Sequence, residues 1–149
     1  MLGALILLTA CAGRFHTDAG MAYFSFSHSG MRSDSIYTLS AEKTEAGWQA
    51  KLDLLAGSML HTLPMTREEA DVLRSMLDTY KLWDWAGFDK ADLRALDGTA
   101  FDLAIRFDDG KKLYASGSNT FPKGYTEAKA AIEAFFIQLM EARGIDAPF

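Results

Sequence analysis

The sequence predicts an α+β domain: an antiparallel sheet of about five to six strands with two helices packed on one face, in the order β-β-β-(β)-α-β-β-α. Three observations carry that expectation. Residues 21–63 are rich in aromatic and β-forming residues and are broken by short turns. Residues 101–107 alternate apolar and polar side chains and run into Asp109-Gly110, a strong hairpin signal. Two stretches, one opening at Thr66 and one near Tyr125, repeat apolar residues at helical spacing.

The elements follow in order. Ala22–His28 is aromatic with partial alternation and ends at Ser29-Gly30. Ser35–Ser40 and Trp48–Leu54 follow as strands, separated by Glu45-Ala46-Gly47, and Met59–Leu63 is a candidate fourth strand. Turns this short suit antiparallel neighbours, because parallel pairs need long crossovers. Whether these strands pair among themselves or with the later hairpin is left open by the pattern.

Thr66-Arg67-Glu68-Glu69 has capping-box spacing, and Pro64 lies upstream where it cannot break a helix. Ala70, Leu73, Met76, Leu77 and Tyr80 then form one stripe, so the helix is expected to end near Trp83. Residues 89–98 are polar and read as loop, closing on the turn pair Asp97-Gly98. Phe101–Phe107 and Lys111–Ser116 make the hairpin. The second helix is expected over about Tyr125–Arg143, burying Ala128, Ile132, Phe135, Phe136, Leu139 and Met140, with Gly144 as its stop.

The chain has 149 residues, 49% hydrophobic and 23% charged, which bounds it to one soluble-type domain with a real core. A formal charge of −5 argues against nucleic acid as a partner and against a polybasic membrane patch. The single cysteine, Cys11, excludes an intramolecular disulfide.

Leu2–Ala10 is an uncharged apolar run of signal-peptide length, too short to span a bilayer. It ends in Leu8-Thr9-Ala10-Cys11, which resembles the lipobox of bacterial lipoproteins. The resemblance implies cleavage after Ala10 and acylation of Cys11, with residues 1–10 as signal peptide. Several acyl chains hold where one would be marginal, at roughly 0.8 kcal/mol per buried methylene. The competing reading of Cys11 is a buried core residue. One departure favours it: Met1-Leu2 lacks the basic residues of an n-region, which an initiator upstream would explain. Ala12, rather than Asp, follows the cysteine. By the same resemblance this implies an outer-membrane anchor facing the periplasm. Residues 12–20 read as a tether reaching roughly 30 Å at about 3.3–3.6 Å per residue, with a single domain over 21–149.

The stretch Asp97–Lys111 together with Gly117-Ser118-Asn119-Thr120-Phe121-Pro122 is similar to a pattern in uncharacterised bacterial lipoproteins. That similarity runs from Trp83 to Phe136 and implies a fold but no activity.

Two groups of residues are candidate sites. Ser118, Asn119, Thr120 and Tyr125 can present hydroxyl and amide groups at a helix N-terminus, a binding loop in one reading. In the other they bond the local backbone while Phe121 and Pro122 plug the core. Trp83, Trp85 and Phe88 form an aromatic groove for sugars or peptides, or else close the core beneath a helix end. His16, His28 and His61 are scattered without metal-ligand spacing, and the acidic residues Asp84, Asp89, Asp92 and Asp97 do not match a calcium loop. No Gly-x-Ser-x-Gly elbow or phosphate loop is present, and Asp108-Asp109 sits at a hairpin tip. The expectation is therefore a lipid-anchored envelope protein with a non-enzymatic binding or structural role, without cofactor or metal. Its expected partners are the membrane, through the anchor, and an envelope protein or cell-wall component. The alternative is a hydrolase or transferase acting on envelope polymers, with aspartates and Tyr125 around a cleft.

Overall fold

The computed structural model describes residues 14–94 and 98–148. Ala10, Cys11 and Asp97 lie outside them. The described residues form seven strands, β1 (Met21–Ser29), β2 (Tyr37–Thr44), β3 (Gly47–Leu54), β4 (Met59–Met65), β5 (Asp89–Ala91), β6 (Ala100–Phe107) and β7 (Lys112–Ser118), and two α-helices, α1 (Arg67–Thr79) and α2 (Tyr125–Ala142). A 3-10 turn over Leu82–Trp85 lies between α1 and β5.

The α+β class holds, with seven strands rather than five or six. All belong to one sheet in the order β4-β3-β2-β1-β6-β7-β5. The first strands pair both ways: β1 lies against β2 on one edge and β6 on the other, both antiparallel. The candidate fourth strand is a full partner of β3 and forms one margin of the sheet. The stretch read as loop supplies β5, which joins β7 in parallel at the other margin. Three residues are too few to show a period. Backbone bonds place them: Ser116 N–H donates to Phe88 O and Asp92 N–H to Ser118 O, each at 2.8 Å.

The register fixes two unlike faces. One carries Ala50, Ala41, Phe24, Ile105 and Leu113 in a row across five strands, with Leu52, Leu39, Phe26, Leu103 and Ala115 in the next; all are buried. Both helices pack here, and Phe136 of α2 stacks on Phe24 with ring centres 6.4 Å apart. The other face is bare and carries Asp53, Thr38, Ser27, Asp102, Ser116 and Asp89 in one row. An antiparallel sheet tolerates water on one side, so this asymmetry is stable.

The capping box at Thr66 is formed: Glu69 N–H donates to Thr66 Oγ1 at 3.1 Å, and Thr66 N–H to Glu69 Oε1 at 2.9 Å. Glu69 also takes both nitrogens of Arg143, at 2.8 and 3.2 Å, tying the start of α1 to the end of α2. Helix α1 stops at Thr79, earlier than the apolar stripe suggests, because Lys81 turns into the left-handed region (φ 54°) and starts the 3-10 turn. At the end of α2, Gly144 takes φ 73° and Ile145 N–H reaches back to Met140 O, as a glycine stop requires.

The expected tether is corrected from Arg14 onward. Residues 14–20 are a strap docked on the domain. Thr17 is 6% exposed; its hydroxyl donates to Asp109 at the β6–β7 hairpin tip, at 2.5 Å. Phe15 packs on Trp83 and Phe107, and Asp108 N–H donates to Gly20 O at 2.8 Å. The guanidinium of Arg74 donates to Thr17 O at 3.0 Å while lying 4.8 Å over the Trp83 ring. Phe15 and Ala19 packed on the core, together with bonds to Asp84, Arg74, Asp108 and Asp109, hold a segment whose composition reads as linker.

Candidate functional site

Of the two sequence-derived candidates, the aromatic group reaches a cleft in part, and none of Ser118, Asn119, Thr120 and Tyr125 lines it. The cleft, of about 530 Å³, lies between the 3-10 turn and the segment leading into α2, and is lined by Tyr80, Lys81, Asp84, Trp85, Phe88, Lys90 and residues 121–124.

Trp85 is its floor. The indole is 1% exposed and its Nε1–H donates to Lys123 O at 3.2 Å, which fixes the loop before α2 against the turn. Phe88 stands half-buried at one side, and Lys90 Nζ lies 5.3 Å from its ring centre. Phe121 stands on the other side, stacked on Tyr125 at 4.5 Å. Trp83 is absent from the cleft. It faces the strap, 5% exposed, with its Nε1–H donating to Asp78 Oδ1 at 2.7 Å. The aromatic group thus divides: Trp85 and Phe88 line a cleft, and Trp83 is core.

The binding-loop residues also divide. Asn119 is structural. Its side-chain oxygen accepts from Thr99 N–H at 3.1 Å while its own N–H donates to Thr99 O at 2.7 Å, closing the hairpin end. Its φ of 56° is one that asparagine tolerates better than most residues. Ser118 ends β7, where its carbonyl accepts from Asp92. Thr120 lies half-buried beside Lys90–Arg94, outside the cleft. Gly117 makes the tight path possible, since a Cβ there would meet Thr120 O and the Phe101 ring.

Tyr125 is buried beneath the cleft among Phe26, Trp85, Phe101 and Phe121. Its hydroxyl has no hydrogen-bond partner among the described residues, and burial, then the charge of Glu133, pushes its pKa up. Tyr37 behaves alike. Burial first, and a hydrogen bond donated to Glu133 second, hold it far above its ordinary value. Lys129 completes that cluster by donating to Glu133 at 2.5 Å. Both phenols stay neutral; Tyr37 donates a hydrogen bond, and Tyr125 serves as packing.

The cleft's charge is lopsided. Its one carboxylate, Asp84, is engaged by Arg14 of the strap, whose Nε donates to Asp84 Oδ1 at 2.5 Å. Lys81, Lys90 and Lys123 meet no carboxylate among the described residues, so the cleft presents three ammonium groups. Lys81 holds them at a cost. It occupies the left-handed position after α1 that glycine ordinarily fills, which strains a residue with a Cβ by about 1–2 kcal/mol. Gly124 caps α2 with φ 79° and no side-chain cap, and the first amide of the helix, Tyr125 N–H, turns back to Pro122 O at 3.2 Å, so the start of α2 closes the cleft's end.

Sequence reasoning missed these lysines. They are separated along the chain, and neither their spacing nor the chain's negative total points to a cationic cleft. No group of His, Cys, Asp or Glu able to hold a metal occurs among the described residues. His16 lies on Trp83 and His28 on Tyr37, with His61 on the β4 margin. Such a set of cations and aromatic walls suits the binding of an anionic group. No protein-family model, curated protein or solved structure matches the chain.

Proposed function

We propose that this chain is a bacterial lipoprotein, acylated on Cys11 after cleavage at Ala10, that works in the cell envelope as a non-enzymatic binding module. Its site is the cleft between the 3-10 turn and the start of α2. One observation supports this reading: three lysines without carboxylate partners among the described residues stand around aromatic walls, an arrangement suited to a ligand. The Leu8-Thr9-Ala10-Cys11 motif supports the anchor, and Ala12 favours the outer membrane facing the periplasm. An enzymatic role on envelope polymers has less behind it. The Tyr125 hydroxyl lies in the core, and Asp92 and Asp89 bond surface neighbours Arg94 and Ser116.

Labelling cells with an alkyne palmitate tests the anchor. The expected result is label on the wild-type chain and none on Cys11→Ser; label independent of Cys11 would overturn it. A photo-crosslinking side chain at Phe121 tests the site. A discrete adduct lost in Lys123→Glu supports binding at the cleft, and an adduct indifferent to that change contradicts it.

A further inference from the structure

The cleft stands beside the point where the chain would meet its membrane. Arg14, three residues after Cys11, is bonded to Asp84 on the cleft wall. At about 3.3–3.6 Å per residue, three residues of chain span at most about 10 Å, so an anchor on Cys11 would hold Arg14 and the cleft wall close to the bilayer. With residues 14–20 docked, no long leash remains between anchor and fold.

We propose that the cleft seats the anionic headgroup of a phospholipid from the bilayer that holds Cys11, so that the domain lies against the membrane in one orientation. This inference rests on the lipoprotein reading for its location, but the chemistry of the cleft is independent of it. Three observations converge. First, the strap neutralises the only acidic lining residue, leaving Lys81, Lys90 and Lys123 to face an incoming phosphate. Second, the walls are Tyr80, Phe88 and Phe121, rings that suit an apolar–polar boundary better than bulk water. Third, Lys81 keeps a strained backbone where glycine would relieve it, a cost that use of its ammonium explains. A volume of about 530 Å³ takes a headgroup, and the acyl chains stay in the bilayer. The chain's formal charge is −5 even with these three lysines counted, so anionic lipid repels the molecule as a whole, which favours a cationic corner as the side that touches.

The test uses residues 11–149 with Cys11→Ser, which keep every described element and carry no acyl chain. They are floated with vesicles of 30 mol% phosphatidylglycerol in phosphatidylcholine, and with phosphatidylcholine alone. The expected result is binding to the anionic vesicles only. It should fall roughly tenfold or more in Lys81→Glu/Lys90→Glu/Lys123→Glu, as expected if each lysine near an anionic surface contributes about as much as usual. It should be retained when the same charge is removed elsewhere, in Lys43→Glu/Lys51→Glu/Lys112→Glu. Lys81→Gly is the sharper variant: it should raise the melting temperature yet weaken flotation, so misfolding cannot account for the loss. Equal losses in the two triple variants would overturn the proposal, as would flotation that does not depend on phosphatidylglycerol. Saturable binding of glycerol phosphate in solution without flotation would assign the cleft to a free anion and overturn it too. Because no acyl chain is present, these outcomes are separate from the palmitate result that decides the anchor.

Discussion

Trp83 and Trp85 sit two residues apart in one 3-10 turn and serve different parts of the molecule. In a helix of three residues per turn their side chains leave about 120° apart. Trp83 points to the strap corner, where each polar group finds a partner: its indole bonds Asp78, Arg74 spans two strap carbonyls, and Thr17 bonds Asp109. Trp85 points to the cleft, where the floor is tied down through Lys123 O but the lysines above it have no carboxylate among the described residues. A corner whose groups are mutually satisfied is structure. A neighbouring corner with the same rigid support and unmatched charge is where we propose that a ligand binds.

The largest expected effects come from removing the two indoles. Trp83→Ala and Trp85→Ala should each destabilise the fold by about 3–5 kcal/mol, the usual range for a large buried side chain. Urea unfolding measures that loss, and limited proteolysis under native conditions separates the two. Trp83→Ala should open cleavage at residues 14–20, whereas Trp85→Ala should leave the strap as resistant as the wild type at equal stability. A strap equally sensitive in both would erase the distinction drawn above.

Phe15→Ala tests the strap alone. Phe15 is half-buried, so its loss should cost about 1 kcal/mol. It should speed proteolysis of residues 14–20 without changing the amide spectrum of residues 121–127. Thr66→Ala, remote from both corners, removes the side-chain cap of α1 and should cost about 1 kcal/mol by urea unfolding. It should alter neither strap proteolysis nor cleft amides, and a change in either would mean the corners are not independent.

The smallest effect is a pH dependence of the strap. Asp109 sits below its ordinary value of 3.8, first because the Thr17 hydroxyl donates to it and second through the Lys111 amide. A depressed carboxyl contributes its stabilisation in full above the ordinary value and loses it as pH falls through the lowered one. Strap proteolysis with an acid-active protease should therefore rise as pH drops below 3.8, and Thr17→Val should flatten that rise.

The sequence made legible whatever is set by neighbours along the chain. The helix start at Thr66 was readable because the capping box is a local exchange of two bonds. The 101–116 hairpin was readable because a strict alternation meets an Asp-Gly turn. The strands over 21–63 were readable as a meander, but the place of β1 at the centre was not, since its pairing with β6 joins residues far apart in sequence. β5 escaped because all three of its residues are exposed and its strand character comes from Phe88 O and Asp92 N–H bonding β7. Of the site, the sequence groups Trp83, Trp85 and Phe88 as aromatics and Ser118, Asn119, Thr120 and Tyr125 as a loop, whereas the cleft forms where Trp85 and Phe88 face residues 121–124. Their meeting depends on the Trp85–Lys123 bond, which no spacing announces. The strap escaped because Phe15 and Ala19 show no period in so short a segment, and the partners of Phe15, Trp83 and Phe107, come from distant elements.

Hydrogen exchange on the full chain, purified from bacterial membranes, tests most directly the proposal that the cleft corner faces the membrane. Exchange is compared between vesicles containing phosphatidylglycerol and neutral detergent micelles. The account predicts slower exchange on vesicles at the exchangeable amides of residues 81–90 and 121–127, with the bare face around Thr38 and Ser40 unchanged. Unaltered exchange at the cleft, or protection on the bare face instead, would contradict it.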